Sequence, residues 1–111
     1  MDRIKKLKEF LESSPNESFL QHALALEYIK AGNEAEARDL FTLIIKREPG
    51  YVGSYYHLGK SLERMGDLRQ AIEIYTQGME VAQAIHDNHS FQELQNALED
   101  AEDNLEDFTG Q

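Results

Sequence analysis

The chain contains no cysteine, which removes disulfide cross-links and thiolate zinc sites and suits a reducing compartment. It also lacks any long apolar run: stretches such as 23–26 and 43–45 are only a few residues, against the roughly 20 needed to cross a bilayer. Near the start, Arg3, Lys5, Lys6 and Lys8 are followed by Glu9 and Glu12 rather than by an apolar core, so a cleaved signal peptide is not expected. These absences lead to the expectation of a soluble, cytoplasmic protein. Basic residues are missing as well from one part of the chain: residues 1–69 hold 11 basic and 11 acidic side chains, whereas 70–111 hold 10 acids and no Lys or Arg. The net charge of -10 therefore arises entirely after Arg69. A surface of that sign repels phosphate backbones and anionic lipid, so neither nucleic acid nor membrane is an expected partner.

What is present is a repeat. At an offset of 34 residues Pro15 falls on Pro49, Leu24 on Leu58, Gly32 on Gly66, Ala37 on Ala71, Leu40 on Ile74 and Phe41 on Tyr75. A fixed period of this size marks stacked units that bury their apolar faces against one another. With 41% apolar and 29% charged residues the chain has the composition of a folded domain.

Helical spacing runs throughout, and no segment shows the two-residue alternation of a half-buried strand. Six helices are expected. The first, 2–12, carries Ile4, Leu7, Phe10 and Leu11 on one stripe and stops at Ser13-Ser14-Pro15. The second, 17–30, and third, 34–47, join at Gly32-Asn33, glycine supplying a left-handed cap and asparagine the start of the next helix. The fourth, 52–65, and fifth, from 68, repeat this plan around Gly66-Asp67. Gln83 stands where the first unit has Pro49, so the fifth helix should run one or two turns long, until His86-Asp87-Asn88-His89. Ser90 with Glu93 reads as a capping box for a sixth helix, whose stripe is Leu94, Leu98, Ala101, Leu105 and Phe108.

These residues resemble the tetratricopeptide repeat family. The first unit matches its pattern with Leu24, Ala25, Tyr28, Gly32, Ala37, Phe41 and Pro49, and the second with Tyr55, Leu58, Gly59, Gly66, Ala71 and Tyr75; Gln21 departs from it where a bulky aromatic is usual. The resemblance implies an all-α fold of antiparallel helix hairpins stacked as a short right-handed solenoid. It divides the chain into a partial repeat helix (1–15), repeat one (16–49), repeat two (50–83) and an acidic capping helix and tail (84–111). It also implies a non-catalytic adaptor that binds a protein or peptide on its concave face. From the first unit that face would present Phe19, His22, Leu26, Ile29 and Lys30. From the second it would present Tyr56, His57, Lys60, Glu63 and Arg64. Phe19, Leu26 and Tyr56 either pack beneath the first or last helix or lie open as an apolar patch.

Some members of the family use a Lys, Asn and Arg clamp to grip a chaperone's C-terminal carboxylate. The matching places here hold His22, Leu26 and His57, and no recognisable third unit completes the grip, so that mode is not implied. No cofactor or metal is expected: His86 and His89 flank turn residues, and His22 with His57, which could approach each other, lack a third ligand. No phosphate-cradling loop or nucleophile elbow is present, and Glu99-Asp100, Glu102-Asp103 and Glu106-Asp107 belong to a solvated helix face, so catalysis is not expected. The acidic last helix could cap the array, fold over the basic groove, or attract a basic partner. The competing structural reading is a homodimer that completes its core through that helix or through the open repeat face.

Overall fold

The computed structural model describes residues 2–109, and the side chains of residues up to 107; the expectation for the Phe108 side chain lies outside the described residues. Six helices follow in order: α1 (Asp2–Ser13), α2 (Ser18–Lys30), α3 (Glu34–Arg47), α4 (Gly53–Arg64), α5 (Leu68–Ala84) and α6 (Asn88–Thr109). Among the described residues there is no strand. Each helix packs on the next, and α4 also touches α6, giving an elongated body of 49 × 32 × 19 Å.

Three turns share one geometry. Gly32 at φ +83°, Gly66 at +85° and His86 at +62° each take the left-handed conformation. The residue after each then donates its backbone N–H, Asn33 to the Tyr28 carbonyl, Asp67 to Leu62 and Asp87 to Ala82, all at 2.8 Å. This is the Schellman arrangement that satisfies carbonyls left over at a helix end. α5 has 17 residues against 14 for α3, about one extra turn, because Gln83 leaves the helix uninterrupted until His86. The third turn corrects the expected capping box. Asp87, not Ser90, caps α6: its Oδ1 accepts from Ser90 N at 3.0 Å and its Oδ2 from Ser90 Oγ at 2.7 Å. The left-handed His86 places the carboxylate one turn earlier than the Ser-Glu spacing suggests. Asn33 starts α3 without a side-chain cap, whereas Asp67 Oδ1 accepts from Gln70 N.

Small residues set the helix spacing. A Cβ built on Gly59 would lie 2.1 Å from Tyr75 Cε1, so α4 and α5 approach as closely as they do only because that side chain is absent. One period earlier Ala25 and Phe41 are both fully buried. The pairs are size-compensated: the larger ring stands with the smaller partner. Tyr75 is also fully buried, and its hydroxyl donates to the Glu63 carboxylate; burial, then that contact, pushes the phenol well above its usual range. In one cluster with them lie Ile44, Leu58 and Leu62, with Leu94, Ala97 and Ala101 from α6.

Gln21 also has an explanation. Its Nε2 donates to the Pro15 carbonyl at 2.9 Å, as the hydroxyl of Tyr55, its counterpart, donates to the Pro49 carbonyl at 2.7 Å. Both units thereby tie the first helix of the hairpin to the preceding loop. Gln21 Oε1 further accepts from Arg47 Nη2, which also donates to Ser18 Oγ. One expected core residue is not buried: Phe10 is 57% exposed. Its counterpart Ile44 sits on α3 between α2 and α4, whereas α1 is flanked by α2 on one side.

Gly59→Ala should therefore destabilise the chain by about 3 kcal/mol, the upper range for overpacking. Gly53→Ala should be neutral or stabilising by about 0.5 kcal/mol, since its new methyl would meet only the His22 ring edge at 3.9 Å. Urea denaturation of the two variants beside wild type checks the contrast.

Candidate binding groove

α2 and α4, the first helices of their hairpins, meet through polar side chains. His22 Nδ1 lies 2.9 Å from Ser54 Oγ, and the His22 and His57 ring centroids are 5.4 Å apart. Phe41 closes the cluster from below, 5.4 Å from His22 and stacked under His57 at 5.9 Å. Above this floor runs a groove of about 570 Å³. α2 lines it with Ala23, Leu26, Glu27, Ile29 and Lys30; α4 adds Tyr56, His57, Lys60 and Arg64; α1 adds Arg3.

Leu26, Ile29, Lys30, Tyr56, His57, Lys60 and Arg64 are thus brought together. Leu26, Ile29 and Tyr56 are half-buried against the core, neither covered nor fully open. Phe19 lies outside the lining and is 67% exposed. His22 sits in the floor, and Glu63 turns to the Tyr75 hydroxyl instead of the groove. Glu63 replaces Ile29 of the first unit just where Tyr75 replaces Phe41, so the buried phenol and its acceptor change together. Arg3, Ala23 and Glu27 were not anticipated. Arg3 occupies the register of Ala37 and Ala71, but its side chain reaches across to Glu27 on α2, a contact between helices that spacing along the chain does not give.

The walls carry more positive than negative charge. Arg3 Nε donates to Glu27 Oε2 at 3.0 Å, and Lys30 Nζ lies 3.5 Å from the same oxygen. The Arg3 contact is the main reason the Glu27 carboxyl sits below its usual range. Arg64 grips Glu34 with Nε at 2.6 Å and Nη2 at 3.3 Å, while Ser61 Oγ donates to it at 2.9 Å. Arg64 likewise leads in lowering the Glu34 carboxyl. Lys60 lies over the Tyr56 ring, 5.6 Å from its centroid, and 3.8 Å from Glu63. The four lining cations have three carboxylate partners, Glu27 within the lining and Glu34 and Glu63 outside it, a balance of +1 in a chain of net charge -10.

Among the described residues, none of α6 lines this groove. The α6 stripe packs inward, Leu94, Ala97 and Ala101 buried and Leu98 half-buried, while Glu99, Asp100, Glu102 and Asp103 face solvent. Among the described residues no group of three or more His, Cys, Asp or Glu is placed to hold a metal ion.

The comparisons with known proteins agree in kind. A family model described as tetratricopeptide repeat matches residues 52–85. A tetratricopeptide repeat domain protein from Salinibacter ruber, solved by solution NMR, is 42% identical, with a TM-score of 0.76 over 79% of this chain and 89% of that one. A TPR repeat-containing protein of Pseudomonas aeruginosa is 25% identical over 91 residues, 82% of this chain and 87% of the relative. The TPR2B domain of yeast Sti1, in a complex with pHsp70, is 16% identical and superposes with a TM-score of 0.85 over 91% of this chain and 81% of that one. At that identity the last likeness shows the fold alone.

The histidine floor predicts a pH dependence. Burial, then the neighbouring His57, lowers the His22 pKa to about 4; burial also lowers His57, opposed by Glu93 and reinforced by Arg64. The unfolded chain takes up these protons near the ordinary imidazole value of 6.5 and the folded chain resists them. The imidazoles therefore contribute stability above pH 6.5 that is lost as pH falls toward 4. Solvent access to the rings holds the loss to about 1 kcal/mol. Urea midpoints between pH 7.5 and 5 should fall more steeply for wild type than for His22→Gln. Equal slopes would contradict the assignment.

Proposed function

The chain belongs to the tetratricopeptide repeat family, and from that premise we propose that it is a non-catalytic adaptor whose α2–α4 groove binds an extended segment of another protein. One observation carries the reading: a groove of about 570 Å³ whose lining sets Leu26, Ile29 and Tyr56 beside charged side chains. Half-buried apolar side chains beside charged ones are the usual composition of a peptide site. The pHsp70 complex of the yeast Sti1 domain supports such a use of the fold in general. His22, Leu26 and His57 at the places of the carboxylate clamp argue against a chaperone-tail grip of that kind.

The self-association reading has less to stand on. The α6 stripe that a dimer would need packs against the rest of the chain, and the outward face of that helix is acidic; two such faces repel. The same acidic surface disfavours nucleic acid and anionic membrane as partners. Among the described residues no helix is long and apolar enough to cross a membrane.

In affinity capture, a Leu26→Asp, Tyr56→Ala double variant should lose the partners that wild type retains while keeping its helical circular dichroism. A partner held equally by both would remove the groove from the account.

A further inference from the structure

The cations of the groove are not equally engaged, and the difference selects a ligand. Arg64 is held by two hydrogen bonds to Glu34. Arg3 and Lys30 share the single Glu27 carboxylate, Lys30 at the longer 3.5 Å. Lys60 is 3.8 Å from Glu63, beyond hydrogen-bond distance, and Glu63 already accepts from Tyr75. Lys30 and Lys60 thus carry the spare positive charge, one on each wall, and both stems can swing to a new acceptor. At the other end of the same α2 face stands the exposed ring of Phe19, one turn before His22 and two before Leu26.

Resting on the groove reading above, we infer that the occupant is an extended acidic segment of another protein, its carboxylate seated between Lys30 and Lys60, a large apolar side chain laid on the Phe19 ring, and the stretch between them passing over Leu26. Helix geometry sets the spacing. Eleven residues separate Phe19 from Lys30, about 16 Å at 1.5 Å per residue, and an extended chain covers about 3.3 Å per residue. The acid and the apolar residue therefore stand about five positions apart.

The position of the remaining charge supports one location for the acid. The surplus acids all follow Arg69, and beyond a Debye length of about 8 Å their field is largely screened. On the α6 side Glu93 acts on His57, so an acid moved past His57 would meet a like charge. A carboxylate is therefore favoured on the Lys30 side of the groove.

A displayed library of random dodecapeptides, selected on the full chain, tests this. Selected peptides should be enriched in Asp or Glu about five positions from Phe, Leu, Ile, Met or Tyr. The best of them, made with a fluorescent label, should bind Lys30→Glu/Lys60→Glu about tenfold more weakly or worse, and should be lost on Leu26→Asp. The same peptide with its acid changed to Lys should prefer the charge-reversed chain to wild type, a gain that a merely damaged variant would not show. Neutral or basic peptides that are lost on Leu26→Asp would overturn the acid inference and leave the groove standing. Peptides held equally by all three chains, or no selected peptide, would overturn both.

Discussion

The approach of paired helices at a missing or minimal side chain is the constraint on which the rest depends. Gly59 admits the Tyr75 ring, and Ala25 stands with Phe41 one period earlier. Each hairpin is thereby closed tightly enough for α3 to lie between α2 and α4, and for α2 and α4 to lie side by side. The groove is a by-product of that stacking: two first helices whose inner faces are used in packing leave their outer faces as its walls. No special loop or cofactor is needed to build it, which is why the same fold serves many partners.

Polar contacts refine this plan instead of driving it. Gln21 and Tyr55, chemically unlike, perform one task by donating to Pro15 and Pro49. Tyr75 brings a buried hydroxyl into the second unit, and Glu63 supplies the acceptor that prevents an unsatisfied group in the core. That assignment removes Glu63 from the walls and leaves Lys60 weakly held. The chemistry of the groove is thus coupled to a packing choice made beneath it.

Much of this was legible along the chain. The 34-residue offset located the hairpins, the small residues at 25, 37, 59 and 71 located the seams, and the family resemblance, with which helical spacing agrees, pointed to Leu26, Ile29, Lys30, Tyr56, His57, Lys60 and Arg64. What spacing could not give was the second partner of each side chain. The reach of Arg3 to Glu27 and the turn of Glu63 toward Tyr75 depend on how helices far apart in sequence lie against each other. The exposure of Phe10 depends likewise on which neighbour α1 has. The Asp87 cap was missed for a local reason: a left-handed His86 substitutes for the glycine of the other two turns, and histidine in that conformation is uncommon.

The central claim, that stacking leaves the outer faces of α2 and α4 as the binding surface, is tested most directly by NMR. A ¹⁵N-labelled chain titrated with a peptide selected on it should show shift changes on residues 19–30 and 56–64, with α3 and α5 reporting only where they lie under the floor. Changes centred instead on the outer faces of α3 and α5, or on the acidic face of α6, would contradict it.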